Sequence, residues 1–383
     1  MAQGLLTLNE LAKMLRHILY TPFSYFSRTL MNVSSIHTFA DIDYREAEEA
    51  FTHLLQHDDL DQYVASTPEC LELFEHVLGL AILEAYEDQP TSPNAHLFLQ
   101  RVLYRINRLK LFWYDDLENY ANEDSAFLFS LRTKIDTAWQ DWEAQNIDIP
   151  SLKDLDIETA LRERTTEDLD PEPSQTGLFF RNDMSQTGYR RLLAIASLDG
   201  LVEASQLSRV IGGIGNEVQA MLTKILLEEY GGGKLARKHS SFFSAMLTEF
   251  GMDTTPEAYF EIVPWEVLAN INHSFTICER KRNFLRYIGS LLYFEISVPA
   301  AFQNYKIAGE RLGFSEQAIG YWDVHIKEDL RHGQWMLNEV ALPLMNRYED
   351  SAWEIVLGYD QQRFLSTRAS QAIAQSIQQT ENG

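Results

Sequence analysis

The stretch Trp322-Asp323-Val324-His325-Ile326-Lys327-Glu328-Asp329-Leu330-Arg331-His332-Gly333 decides how this 383-residue chain is read. On an α-helix, the residues four and seven positions beyond His325 return to its face, so His325, Asp329 and His332 form one polar stripe. Two imidazoles and a carboxylate aimed the same way are N/O donors suited to iron, manganese or zinc. Ile326, Leu330, Trp335, Met336 and Leu337 surround the stripe and turn it toward the apolar body of the protein. Burying such groups costs several kcal/mol unless a metal or hydrogen bonds compensate them. The competing reading is a pair of surface histidines with a salt-bridging aspartate.

One helix supplies half of a dinuclear site. Carboxylate-bridged iron in a helical bundle takes glutamates from some helices and acid–histidine pairs from others. Leu226-Leu227-Glu228-Glu229-Tyr230-Gly231-Gly232-Gly233 ends an apolar helix that begins near Asn216, and its glycines stop it. Either acid of the Glu228–Glu229 pair can face inward; Glu229 is preferred. His239 follows, with Phe242, Phe243 and Met246 as apolar company. Glu295 interrupts the apolar run from Ile288 to Ile296 just ahead of Pro299, and an acid so placed is seldom buried without a partner.

Taken together, the order Glu229, His239, Glu295 and His325-x3-Asp329-x2-His332 resembles the haem-oxygenase-like diiron oxidases and oxygenases. The Gly309-Glu310-Arg311-Leu312-Gly313 turn before the last ligand helix fits as well. Tyr189-Arg190-Arg191-Leu192-Leu193-Ala194-Ile195-Ala196-Ser197-Leu198-Asp199-Gly200, the Glu228–Gly233 segment and the stretch 314–337 look closest to the N-oxygenating branch, so the resemblance covers about residues 180–345. It implies an all-α, haem-oxygenase-like helical bundle that binds two Fe(II) per chain, one loosely, and uses O2 as co-substrate. The implied reaction is N-oxygenation of an amine or guanidine in an amino-acid-derived substrate of specialised metabolism, with an external electron donor as a further partner. Glu229 is expected to bridge, beside His239 and Glu295, while His325, Asp329 and His332 complete the second iron environment. The branch also implies a seventh ligand, and Glu203 falls at its position; otherwise Glu203 is an acid favoured by a helix N-terminus. A cupin domain follows the core in one such enzyme, and none is expected after Gly383. The same scaffold also carries desaturases and C–C lyases. A helical interaction protein without chemistry is the reading from another class.

A net charge of −24 repels nucleic-acid phosphates and anionic membranes, and favours a cationic substrate at long range. No apolar run is long enough to span a bilayer, and no signal peptide is apparent. Cys70 and Cys278 are too few for a disulfide framework, which fits a reducing cytoplasm.

Helical spacing predicts helices over residues 5–31, 44–56, 68–86, 94–114 and 125–145. These make residues 1–150 an N-terminal helical interaction domain, expected from the resemblance to form a homodimer. Residues 151–175 are acidic and contain Pro171 and Pro173, the composition of a linker. The catalytic domain spans 176–383, with a Gln/Ser/Ala-rich tail from 367 expected to fray. His53, His57, Glu75, His76 and Glu84 mimic a second metal site but lack an acid-rich partner helix. Asn270, Asn272, His273, Arg280 and Arg286 are candidates to orient a substrate, with Trp322, Tyr293 and Tyr230 along the site wall.

Overall fold

The computed structural model describes residues 44–88, 91–110, 120–213 and 215–382, except for the side chains of Glu69, Cys70 and Leu73. All regular structure among them is helical, as expected. The chain forms two compact units, Met1–Trp142 and Glu143–Gly383.

In the first unit, α1 (Tyr44–Leu54), α3 (Pro68–Ile82), α4 (Pro93–Asn107) and α5 (Ala126–Ala144) follow the predicted spacing, while α2 (Leu60–Ser66) is a short helix that the spacing did not predict. Phe51, Phe74 and Phe98 are fully buried, Phe51 stacking on Phe74 and Phe98 meeting Phe74 edge-on. Arg101 and Arg105 both pair with the buried Glu48, at 2.9 Å each. The helix predicted over 5–31, the continuation of α4 to 114, and the Cys70 side chain lie outside the described residues.

The second unit contains α6 (Ile157–Leu169), α7 (Gln186–Gly200), α8 (Glu217–Glu229), α9 (His239–Glu249), α10 (Trp265–Glu279), α11 (Phe284–Arg311), α12 (Glu316–Trp335) and α13 (Trp353–Asn382). Helix starts are written in the sequence. Asp156, Ser185, Asn216 and Ser315 each accept a backbone N–H three residues on, as N-caps do. The Gly231–Gly233 turn runs with φ of 63°, 64° and 78°, so the chain reverses sharply between α8 and α9.

Two expectations need correction. Much of the stretch read as a linker is α6, which buries Ala160, Leu161 and Thr165. Its acids are not there to solvate a tether: Asp168 takes Arg363 at 2.6 Å, and Arg164 takes Asp360 at 2.7 Å. The tail does not fray either. It continues α13, with Ile377 fully buried and Glu381 accepting the Ser185 backbone N–H at 2.8 Å.

One apolar cluster packs Leu222, Ile225, Ile288, Leu292, Ile296 and Met336. Another packs Tyr189, Phe243, Met246, Tyr305 and Trp322. Together they draw on α7, α8, α9, α11 and α12, the elements that carry or adjoin the polar stripe. Pro299 has no N–H to offer the Glu295 carbonyl four residues earlier. Gly333 of α12 comes close at that carbonyl, where a Cβ on it would lie 3.0 Å from the oxygen and 2.8 Å from Ile296 Cδ1.

Candidate metal centre

All six residues expected to form the centre are buried: Glu229, His239, Glu295, His325, Asp329 and His332. Glu203 joins them with its side chain 17% exposed. Helix α12 presents His325, Asp329 and His332, α8 ends at Glu229, α9 begins at His239, and α11 contributes Glu295. Glu203 lies on the turn after α7, next to Ala204, whose φ of 62° is left-handed without being glycine. Such a backbone costs of order 1–3 kcal/mol and persists where its surroundings impose it.

The side chains fall into two groups that share Glu229. Glu203, Glu229, His239 and His325 bring donor atoms within 4.8 Å of one another, and so do Glu229, Glu295 and His332. Glu229 Oε2 is 2.8 Å from His239 Nδ1, while its Oε1 is 3.3 Å from His332 Nδ1. His325 Nε2 is 2.7 Å from Glu203 Oε1 and 3.1 Å from His239 Nδ1. On the other side, His332 Nδ1 is 3.3 Å from Glu295 Oε2 and 3.7 Å from Asp329 Oδ1. The grouping therefore differs from the expected one. His325 joins Glu203 and His239, Glu295 joins His332, and Asp329 sits beside the latter.

Outer contacts orient these rings. His325 Nδ1 donates to the Tyr321 carbonyl at 2.8 Å, which leaves Nε2 facing inward. The Tyr321 hydroxyl donates to Glu203 Oε1 at 2.8 Å. Phe302 and Tyr321 wall the His325 ring at centroid distances of 5.3 and 4.4 Å. Trp322, expected on the wall, packs on Phe302 and donates from Nε1 to the Tyr189 hydroxyl at 2.7 Å.

Burial is the largest influence on the Asp329, Glu295, Glu229, His325 and His332 side chains. It pushes the Asp329 and Glu295 carboxyls above the usual range. For Glu229 burial pulls the same way, yet the neighbouring imidazoles of His239 and His332 outweigh it and hold the carboxyl well below that range. Burial disfavours charge on His325 and His332. The carboxylates prevail, Glu203 and Asp329 raising His325, and Glu229 and Glu295 raising His332 to about 11.

This donor set fits divalent metal. Two buried atoms, His332 Nδ1 and Glu203 Oε2, make no hydrogen bond. Such orphaned groups are costly unless something else engages them. The carboxylates of Glu203, Glu229, Glu295 and Asp329 carry the four charges that two divalent cations balance. Three imidazoles and carboxylate oxygens suit iron, manganese or zinc.

Other residues singled out in the sequence lie elsewhere. Arg286 donates to Gln361 at 2.7 Å, and Asn270 accepts from Gln362, both on α13. Arg286 lies nine residues from Glu295 on α11, about 13 Å along the axis. Asn272 and His273 are buried on α10, Arg280 is exposed, and Tyr293 packs on Tyr359. Tyr230 lies under Lys238. His53 meets Gln56 and His57 stacks on Tyr63. Sequence reading missed Tyr321, although it stands one helical turn from His325 on the same face.

Residues 190–362 match the family of iron-containing redox enzymes, a span that holds every residue of both groups. That segment is a haem-oxygenase-like domain of the iron-containing redox enzyme family. More particularly, it is similar to a nitrosourea synthase from Streptomyces achromogenes subsp. streptozoticus, at 26% identity over 226 residues. The match covers 58% of this chain and 46% of the relative, so the chain spans about half of that protein's length.

Proposed function

We propose that the protein is a non-haem diiron oxygenase that transfers oxygen from O2 to an amine or guanidine nitrogen of an amino-acid-derived small molecule. One observation carries the reading: Glu229 turns one oxygen toward His239 and the other toward His332, with further buried donors on each side. Two ferrous ions bound there would supply the electrons that activate O2. Glu229 would bridge them, with Glu203, His239 and His325 on one and Glu295, Asp329 and His332 on the other.

The chain's own residues prepare that chemistry. Tyr321 holds Glu203 through its hydroxyl and His325 through its carbonyl, so both donors face inward before a metal arrives. Phe302, Phe243 and Trp322 pack beside them and exclude water from that side of the centre. Asp329 and Glu295 keep protons more tightly than ordinary carboxylates in the metal-free protein and would release them on binding metal. The net charge of −24 draws cationic amines toward the protein. Nitrogen is favoured as the target because the relative is named for a nitrosourea, a compound with an oxygenated nitrogen.

Around this centre the proposal includes a homodimer built on the N-terminal helices, an external electron donor and a cytoplasmic location. No helix among the described residues is long and apolar enough to cross a membrane. The test is anaerobic loading with Fe(II), followed by 18O2 and a panel of amino-acid-derived amines and guanidines. Mass spectrometry should find 18O on nitrogen in at least one product, and none with His332→Ala. If the panel is untouched while a fatty acid or aliphatic amino acid is desaturated or cleaved, the reading as an N-oxygenase is wrong.

A further inference from the structure

Glu228 and Glu229, consecutive at the end of α8, address opposite edges of the same imidazole. Glu229 faces His332 Nδ1 at 3.3 Å, whereas Glu228 Oε2 accepts from His332 Nε2 at 2.9 Å. The same Oε2 accepts from Arg331 Nη2 at 2.6 Å, and Arg331 in turn pairs with Glu328. His332 is fully buried, while Glu228 and Glu328 have 29% and 32% of their side chains exposed. A chain of contacts thus runs from the surface to the inner face of the ring. The Arg331 guanidinium already pairs with both acids and occupies the space between them, so Glu228, Glu328 and His332 are not read as a further cation site.

We propose that Glu228 is a positioning residue for His332, and that Arg331 fixes Glu228. The inference rests on the diiron reading above. An imidazole that binds metal through one nitrogen must carry its proton on the other, and a hydrogen bond from that N–H fixes both tautomer and ring angle. Glu228 takes the Nε2 proton and thereby leaves the Nδ1 lone pair toward Glu229, Glu295 and Asp329. His325 receives the same service from the Tyr321 carbonyl at 2.8 Å, so both histidines of α12 have a dedicated outer acceptor. Main chain provides it at one centre and side chain at the other. The His332 ring can therefore be loosened by a side-chain substitution outside the ligands, whereas the His325 ring keeps its carbonyl acceptor whatever side chain stands at 321.

Co(II) is the probe, because its absorption reports coordination and it shifts the exchangeable N–H resonance of a bound imidazole. Wild type, Glu228→Ala, Glu228→Gln, Arg331→Ala and His332→Ala are titrated against a competing chelator, and the metal-free forms are melted to show that each is folded. Losing an outer-shell partner of this kind costs about 10–100-fold in metal affinity. Glu228→Ala should lose that much at one of two binding steps and should lose the slowly exchanging N–H signal. Glu228→Gln, whose amide oxygen still accepts, should stay within a few-fold of wild type, and Arg331→Ala should fall between them. Equal affinity and an unchanged N–H signal in Glu228→Ala would refute the positioning role while leaving the metal centre standing. Equal losses in Glu228→Gln and Glu228→Ala would refute it as well, because the charge and not the acceptor would then matter. If wild type and His332→Ala alike bind no Co(II), the diiron reading falls and takes the positioning role with it.

Discussion

Replacing Glu295 by glutamine removes one charge from the buried centre and leaves its shape almost unchanged. Glu229 and Glu295 bring oxygens within 4.8 Å of each other. At an effective dielectric of about 20, two ionised carboxylates at that separation repel by about 3.5 kcal/mol. Metal-free protein evades part of this by keeping a proton on Glu295, whose carboxyl burial has pushed up. Burial also favours the neutral amide and the lost attraction to His332 opposes it, which leaves a relief of about 1–3 kcal/mol. For a unit of this size it corresponds to melting about 2–12 °C higher. The folded state holds the Glu295 proton more tightly than the unfolded chain does. Its contribution is therefore full below the ordinary carboxyl value of 4.5 and is lost as pH rises through the raised value, so the advantage of glutamine grows with pH over that window. Metal reverses the order. At a hundredfold excess over Kd, binding adds about 2.7 kcal/mol to wild type, or about 5–11 °C. Glu295→Gln should keep less than half of that shift. Scanning calorimetry of both proteins, metal-free and with Co(II), reads both effects. A variant that melts below wild type without metal, yet gains as much from Co(II), would refute the reasoning.

Two further predictions concern the same centre. Metal must displace the proton from His332, held up to about 11, and from Asp329, also raised, so affinity should rise with pH. Between pH 6 and 8 the logarithm of the Co(II) binding constant should climb by about one to two per pH unit, and a flat profile from chelator competition would count against these ligands. Gly333→Ala places a methyl 3.0 Å from the Glu295 carbonyl oxygen, so α11 and α12 must separate by a few tenths of an ångström. Overpacking of this kind costs about 1–3 kcal/mol; denaturant unfolding should show it together with weaker metal binding, and an unchanged midpoint would show that the crossing is slack.

The helical architecture, the stripe on α12 and Glu295 were legible because they rest on period and composition, whereas Glu203, His239 and the choice of Glu229 over Glu228 came with the family resemblance. His325, Asp329 and His332 share a face by spacing alone, and Glu295 stands out as an acid in an apolar run. Which donors meet was not legible, because it depends on where α8, α9 and α11 cross α12. His325 and His332 lie seven residues apart, about 10.5 Å along the axis, so one ion is hard for both to reach. A shared face hides that division. The stretch 151–175 misled for another reason. Its acids and prolines match a tether in composition, but Asp168 and Arg164 are spoken for by Arg363 and Asp360, and Leu161 is core. The partners that settle the matter lie about 190 residues away in sequence, beyond the reach of any local pattern.

Anomalous diffraction at the iron edge, from crystals loaded with Fe(II) under anaerobic conditions, tests the central claim most directly. Two peaks per chain are expected, one on either side of the Glu229 carboxylate. The first should be ligated by Glu203, His239 Nδ1 and His325 Nε2, and the second by Glu295, Asp329 and His332 Nδ1. A single peak, or iron held by Glu228 and Glu328 with Glu229 turned away, would contradict it.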